Sequence, residues 1–279
     1  MLFEFFEPVA NFILETANTI TVPAQKNLAA LNIRQKEDKS ILTDADGKSE
    51  AFLTENLTRL IPSSKILGEE TAGDWRLSPA WRDDEFVWII DPIDGTKPYS
   101  EGGAYGIMVA LRYKGVMQAA WIYYPQTKDM LFASQEDATH MFTWDESGSR
   151  TSKSISPPPV VLSEQTLNYY CPKYKGLLGI YAPVAEMFEG ASISRCIANE
   201  TRNLLLTGKN SEVALEVFTP WDHLIPSMIV NCAGGQACCL NDGGENPAGG
   251  ILAPSPSDME KILAAIQIVN PRMKIMGGI

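Results

Sequence analysis

The feature that most constrains this chain is an apolar run, Val87–Ile90, that ends in two carboxylates three positions apart. A continuous apolar run of this kind is typical of a buried strand. Asp91 and Asp94 follow it, so the predicted strand carries fixed negative charge at its own C-terminal end. Hard divalent cations take oxygen ligands of this type. Gly95 and Thr96 come next and can present backbone N–H groups to an anion. A cation site beside an anion site indicates metal-assisted phosphate chemistry.

Composition limits the class of protein. The chain has 279 residues, 45% of them apolar, and a net charge of −11. That length supports a large core, either as one domain or as two packed lobes. Because no basic stripe is present, neither nucleic-acid duplexes nor anionic membranes are expected partners. No apolar run reaches the length of a membrane span, and the N-terminal residues 1–7 carry acids where a signal peptide has basic residues.

The side chains available for redox and metal chemistry are few. Five cysteines, an odd number without a CxxC pair, indicate reduced thiols and a cytoplasmic protein. Only two histidines are present, so a zinc site is not expected.

The hydrophobic pattern predicts a mixed chain with a boundary near its middle. Ser- and Pro-rich residues 145–159 favour a division into an N-terminal α+β lobe, 1–150, and a C-terminal α/β lobe, 151–279. In the first lobe, helices are predicted over 3–20 and 48–61 and strands over 31–34, 65–67, 86–90, 106–111, 118–123 and 130–133. In the second lobe, strands are predicted over 160–162, 192–197 and 213–218, and helices over 183–189 and 200–207, from 222, and from 257.

Acidic residues stand at the ends of several predicted elements. Each has a structural explanation when taken alone: Asp46 and Asp222 could cap helices, and Glu69 could be surface charge. As a set they predict more, since carboxylates that converge on one point repel strongly unless cations neutralise them. Mg²⁺ binds carboxylates together with water and substrate phosphate, which suits such a cluster. The positions are Asp44, Asp46, Glu69, Glu70, Asp91, Asp94 and Asp222.

Three motifs make this pattern specific. They are Gly68-Glu69-Glu70, the segment Trp88–Thr96, and Pro220-Trp221-Asp222. In order and spacing they resemble the inositol monophosphatase family of Mg²⁺-dependent, lithium-sensitive phosphatases, over about residues 5–270. The resemblance implies a layered αβαβα sandwich of two lobes, an α+β or α/β fold with its site between them. It also implies a homodimer.

The resemblance assigns roles to the acidic residues and to the turn after the strand. Glu69, Asp91, Asp94 and Asp222, with the Ile93 carbonyl, would bind two or three Mg²⁺ ions. Gly95 and Thr96 would hold the phosphate, and Asp94 and Asp222 would also contact the substrate. Thr96, with Asp46 or Glu69, would orient a metal-bound water for in-line attack on phosphorus, without a phosphoenzyme. The implied substrate is a small soluble phosphate ester of the inositol monophosphate type.

Three positions depart from the family pattern. His223-Leu224-Ile225-Pro226 follows Trp-Asp where the family has small residues, and its bulk bears on how closely that helix approaches the metal site. Leu215 stands by spacing where inositol-specific members have a substrate-binding Glu, with Glu216 adjacent. Lys97 follows Gly-Thr, as in the histidinol-phosphate and nucleotide-bisphosphate branches, and could serve a second acidic group. The alternatives are therefore a histidinol-phosphate or 3′,5′-bisphosphate nucleotide phosphatase, or a catalytically silent binding relative.

Overall fold

The described residues form two large β-sheets, one from each half of the sequence, with helices outside and between them. The structure, a computed structural model, describes residues 3–36, 41–78, 85–170, 183–215, 218–241 and 247–276. In chain order the helices are α1 (Phe3–Thr16), α2 (Val22–Gln25), α3 (Asp44–Leu60), α4 (Thr96–Ser100), α5 (Ile197–Thr207), α6 (Pro220–Cys232) and α7 (Pro256–Val269). A π-helical turn, Ala17–Thr21, joins α1 to α2.

The first sheet has seven strands in the order β3-β4-β5-β6-β7-β8-β9, parallel only between β3 and β4. A separate antiparallel pair, β1 and β2, precedes it. The strands are β1 (Arg34–Gln35), β2 (Ile41–Leu42), β3 (Lys65–Gly68), β4 (Phe86–Asp94), β5 (Gly106–Tyr113), β6 (Val116–Tyr124), β7 (Asp129–Ser134), β8 (Asp137–Trp144) and β9 (Arg150–Ser154).

The second sheet has six strands in the order β11-β10-β12-β14-β13-β15. Its first three strands in this order are parallel, and the others pair antiparallel. The strands are β10 (Thr166–Tyr170), β11 (Gly190–Ile193), β12 (Asn210–Leu215), β13 (Gln236–Asn241), β14 (Gly249–Ala253) and β15 (Lys274–Ile275).

The elements stack as five layers, which confirms the predicted αβαβα sandwich. Helices α1 and α3 cover the outer face of the first sheet, where Phe6, Leu53 and Trp88 share one core cluster. Helices α5 and α6 lie between the sheets, and α6 packs against strands of both. Helix α7 closes the outer face of the second sheet around Ile251 and Ile262. Both sheets are thus buried on both faces, as layered folds require.

Helix α3 begins four residues earlier than the sequence predicted, at Asp44 rather than 48. Thr43 is its N-cap: the hydroxyl oxygen accepts from Ala45 N at 3.2 Å. Asp46 completes the capping box by accepting from the backbone N–H of Thr43 at 2.8 Å. The prediction missed the start because the cap pattern here ends in Asp instead of Glu.

Other boundaries also differ from the predictions. The strand predicted over 160–162 is wrong, since a 3₁₀ turn begins at Leu162. The strand predicted over 192–197 ends at Ile193, and that predicted over 213–218 is β12 as far as Leu215, with 216–217 outside the described residues. The extended piece predicted over 31–34 overlaps β1 only at Arg34, and of residues 183–189 only 183–185 are helical. Strand β9 lies inside the segment 145–159, so the first sheet runs to Ser154, and the division into lobes at 150 stays a prediction.

Candidate active site

The end of strand β4 directs two carboxylates to one side of the sheet. Residues three apart on a regular strand point to opposite faces. The pairing of β4 with β5 is irregular between Asp91 and Asp94, and such a bulge redirects the side chains around it. Asp91 Oδ1 also accepts from the backbone N–H of Ile93 at 3.1 Å, which fixes the turn. Both aspartates are buried.

Asp222 joins them from the first turn of helix α6. One carboxylate oxygen from each of Asp91, Asp94 and Asp222 lies within 4.8 Å of the other two. Thr219, the N-cap of α6, donates its hydroxyl to Asp222 Oδ2 at 2.7 Å and sets the side chain. Leu224 and Ile225 are buried in the core between the sheets. Their bulk therefore packs away from the carboxylates, and the helix reaches the site.

The electrostatics of this cluster fit a bound cation. Burial, followed by the charges of Glu69 and Asp94, raises the pKa of Asp91 well above its ordinary value. Burial also raises the pKa of Asp222 well above its ordinary value, and that of Asp94 to about 6. Carboxylates that repel one another and lack a cationic partner gain most from a divalent ion. The donor set, carboxylate oxygens only, suits Mg²⁺.

Glu69 lies in the same cleft but is bound to a lysine instead of joining the three aspartates. Its Oε1 lies 2.9 Å from Lys36 Nζ, which also lies 2.8 Å from Glu70 Oε2. Burial acts to lower the pKa of Lys36, but the two glutamates outweigh it and raise that pKa. Lys36 therefore offsets part of the negative charge of the two glutamates that follow β3. No local sequence pattern predicted this contact, which joins residues 33 positions apart.

Glu50 holds the turn that carries these glutamates. It lies on α3, is buried, and accepts from Glu70 N through Oε2 at 2.8 Å. Gly68 gives it room, because a Cβ there would lie 2.4 Å from Glu50 Cδ. The sequence analysis missed Glu50, whose contact depends on two segments about 20 residues apart. A side chain at position 68 would therefore displace the Glu50 carboxylate, which explains the glycine of the Gly-Glu-Glu motif.

Asp46 and Thr96 form the pair that the resemblance implied. Asp46 Oδ1 lies 3.1 Å from Thr96 Oγ1, a donor that also lies 3.1 Å from the Ile93 carbonyl oxygen. Burial raises the pKa of Asp46 to about 6 against the opposing hydrogen bonds from Thr43. Asp46 therefore serves as a helix cap and as a hydrogen-bond partner of Thr96. The sequence analysis gave Asp46 two interpretations, a helix cap and a partner of Thr96, and both contacts are present.

Gly95 and the start of helix α5 meet beside Asp94. Gly95 has a φ of +83°, which favours glycine, and it forms the N-cap of α4. Asp94 Oδ2 accepts from Ala198 N at 2.7 Å and from Cys196 Sγ at 3.0 Å. The N-terminus of α5, with its positive partial charge, thus holds the Asp94 carboxylate. The sequence analysis missed Cys196 and Ala198 because they lie about 100 residues from Asp94.

The three aspartates, Glu69, Gly95 and Thr96 line one cleft of about 450 Å³, to which both halves of the chain contribute. His223 lines it and is buried, with Nδ1 3.0 Å from the Thr219 carbonyl oxygen, and burial lowers its pKa to about 4. Leu215 faces the core of the second sheet, whereas Glu212 of the same strand lines the cleft. Glu216 lies outside the described residues. The lining residues used here are Glu69, Asp91, Asp94, Gly95, Thr96, Lys97, Arg195, Glu212 and Asp222.

Comparisons with known proteins agree with this geometry. The profile of the inositol monophosphatase family matches residues 7–270. A putative Nus factor SuhB from Neisseria meningitidis serogroup B is 28% identical, covering 90% of this chain and 93% of its own. A histidinol-phosphatase from Chlorobaculum parvum is 28% identical, covering 76% of each chain.

Solved structures show the same fold. The native crystal structure of the extragenic suppressor protein suhB from Bartonella henselae aligns with a TM-score of 0.74 at 18% identity, over 93% of this chain and 98% of that one. An IMPase/NADP phosphatase complexed with Mg²⁺ and phosphate aligns with a TM-score of 0.75 at 15% identity, over 99% and 97%.

The fold and the site define a phosphoric monoester hydrolase built around a carboxylate cluster. The chain belongs to the inositol monophosphatase family. None of the helices in the described ranges combines the length and the apolar character that a bilayer-spanning helix needs.

Proposed function

We propose that the protein is a Mg²⁺-dependent phosphomonoesterase that hydrolyses a small phosphate ester, of the inositol monophosphate type, by in-line attack of water. The observation that carries this proposal is the convergence of Asp91, Asp94 and Asp222, with carboxylate oxygens within 4.8 Å of one another. The cluster shares one cleft with Gly95 and Thr96. A cation site and an anion-binding turn thus face the same space.

The residues that would hold Mg²⁺ are these three aspartates, with Glu69 and the Ile93 carbonyl as further proposed ligands, for two or three ions in total. When bound, Mg²⁺ supplies a more acidic water and neutralises charge that develops on the phosphate oxygens. In the protein, Thr219 and the N-terminus of α5 hold Asp222 and Asp94 in place for this purpose.

The remaining groups position the substrate and a proton. The turn Gly95–Thr96 opens helix α4 and offers backbone N–H groups to the phosphate. Thr96 Oγ1, held by Asp46, lies beside the same turn and can orient the attacking water. Asp46, with a pKa of about 6, is mostly ionised at neutral pH and can accept a proton through the threonine hydroxyl.

The next question is which phosphate ester the protein hydrolyses. Leu215 lies in the core, so the described residues do not place a carboxylate at that position of the inositol-specific pattern. Lys97 lines the cleft mouth, which favours the second candidate, a histidinol-phosphate or 3′,5′-bisphosphate nucleotide phosphatase. A catalytically silent relative is the third, although the assembled aspartates argue against it. Homodimer formation and a cytoplasmic location remain predictions of the family resemblance.

The test is phosphate release from a panel, with and without Mg²⁺. The panel comprises inositol 1-phosphate, histidinol phosphate, adenosine 3′,5′-bisphosphate and fructose 1,6-bisphosphate. Mg²⁺-dependent release from one member, inhibited by lithium, supports the proposal and names the branch. A folded protein that binds Mg²⁺ but releases phosphate from none of them would support the silent relative instead.

A further inference from the structure

Two cationic side chains stand at the mouth of a cleft whose other ionisable groups are mainly acidic. Lys97 and Arg195 line the cleft together with Glu69, Asp94 and Asp222. Both cations are exposed to solvent. The acidic residues form the metal-binding cluster and its surroundings, so cations at the mouth serve a different purpose from the cluster itself. The protein is strongly acidic overall, which makes a cationic mouth unusual for this surface.

The two cations come from different lobes and are brought together by a close backbone contact. Lys97 lies in α4, after the first sheet's strand β4, and Arg195 lies between β11 and α5 of the second lobe. A Cβ on Gly95 would lie 2.9 Å from Cys196 Cβ, so residues 95 and 196 touch. Lys97 follows Gly95 by two residues, and Arg195 directly precedes Cys196. Their side chains therefore border the phosphate-binding turn from both lobes.

The two cations differ in their ion pairs. Lys97 forms an ion pair with Glu101 one turn later on the same helix. Arg195 has no ion pair with any residue in the part of the chain that the structure describes. The pKa of Glu101 is lowered mainly by Lys97, and the charge of Arg195 adds to this at a distance. Cys196, the next residue, is buried and donates a hydrogen bond to Asp94, so the backbone at Arg195 is held beside the site. An anchored, accessible guanidinium can bind phosphate or carboxylate with two parallel hydrogen bonds.

We infer that the substrate carries a second anionic group, and that Arg195, assisted by Lys97, binds it at the cleft mouth. This inference rests on the proposed phosphomonoesterase activity, and among the candidate substrates it favours the bisphosphate over inositol 1-phosphate and histidinol phosphate, which carry one anionic group each. The phosphate to be cleaved occupies the aspartate cluster and the Gly95 turn, and the rest of the substrate extends toward the mouth. A phosphate or a carboxylate on that part would meet Arg195, whereas an uncharged alcohol would leave it in water.

The experiment uses two pairs of esters that differ by one anionic group. The first is adenosine 3′,5′-bisphosphate against adenosine 3′-phosphate, and the second is 3-phosphoglycerate against glycerol 3-phosphate. Phosphate release is measured with Mg²⁺ for the wild-type protein and for Arg195→Ala, Lys97→Ala and the control Arg272→Ala. Arg272 is an exposed arginine that does not line the cleft. The pair with the larger Arg195→Ala effect shows whether the second group is phosphate or carboxylate.

We expect Arg195→Ala to lower kcat/KM about tenfold or more for the doubly anionic member of one pair, mainly through KM. Its singly anionic partner should change less than about twofold, Lys97→Ala should have a smaller effect in the same direction, and Arg272→Ala should have none. Equal losses for both members of each pair would overturn the inference, because they would show that the arginine attracts any phosphate ester. Mg²⁺-dependent release without preference for either doubly anionic member would overturn it too. If phosphate is released neither from the four esters nor from any member of the panel above, the proposed function is overturned and this inference with it.

Discussion

Replacing Gly95 with alanine probes the close contact between the Gly95–Thr96 turn and Cys196. Two costs are visible in the structure. The φ of +83° lies in the left-handed region, where an L-residue with a Cβ costs roughly 1–2 kcal/mol. The new Cβ would also lie 2.9 Å from Cys196 Cβ and 3.1 Å from the ring of Pro98. Forcing an extra methyl into a packed contact costs typically about 1–3 kcal/mol.

The two costs together predict a loss of about 2–5 kcal/mol in the free energy of unfolding. For a chain of this size, that corresponds to a Tm lower by roughly 4 to 20 °C. Gly95→Asn separates the costs, since Asn tolerates positive φ but keeps the Cβ. We therefore expect Gly95→Asn to lose less stability than Gly95→Ala, and the remaining loss to report the contact with Cys196.

The assay is thermal and urea unfolding, followed by circular dichroism without added metal. Gly47→Ala is the matched control: Gly47 lies exposed in α3, a Cβ added there would have nothing within 4 Å, and alanine should stabilise by up to about 1 kcal/mol. Gly95→Ala within about 0.5 kcal/mol of wild type would refute the reasoning, because neither the backbone strain nor the contact would then exist in solution.

Three further outcomes follow from the site. Asp94→Asn should abolish Mg²⁺-dependent phosphate release while leaving the far-UV circular dichroism unchanged, and near-normal rates would remove Asp94 from the ligand set. Asp46 and Asp94 have folded pKa values of about 6, above their ordinary value, so each contributes stability below about pH 4 that is lost as pH rises through 6. Metal-free wild type should thus lose up to about 3 kcal/mol relative to Asp94→Asn between pH 4 and 7, and parallel pH profiles would contradict this. Lys36→Met should lower the metal-free Tm and enlarge the rise in Tm on adding Mg²⁺, since Glu69 and Glu70 lose their cation; an unchanged Mg²⁺ effect would count against that role.

The sequence predicted those parts of the site that local patterns encode. The run Val87–Ile90 is fully buried in β4, as predicted, because an uninterrupted apolar stretch suits a strand covered on both faces. The acids at the ends of β3 and β4 and at the start of α6 lie in one cleft for the same reason. The sequence could not show that a bulge brings Asp91 and Asp94 to the same side, since a regular strand would separate them.

The parts that escaped prediction depend on long-range contacts or on backbone pairing. Lys36, Glu50 and Cys196 act on residues that are 20 to 102 positions away, and no spacing rule connects such pairs. Strand β9 is exposed along its whole length and consists of polar residues, so its composition indicates a linker. It is nevertheless a strand, because its backbone pairs with β8. Sheet edges of this kind carry little hydrophobic signal.

The departures after Trp221-Asp222 can be understood as packing that places the carboxylate cluster. Asp91 and Asp94 come from the first sheet, whereas Asp222 depends on α6, which lies between the sheets and contacts both. Three mutually repelling carboxylates would move apart unless other interactions hold their elements together. Leu224 and Ile225 supply such interactions, since both are buried in the core that α6 shares with β4 and β6. Pro226 lies inside α6, where it cannot donate to the Asp222 carbonyl, and the helix nevertheless continues to Cys232. The bulk that distinguishes this chain from the family pattern therefore favours the approach of Asp222 to Asp91 and Asp94.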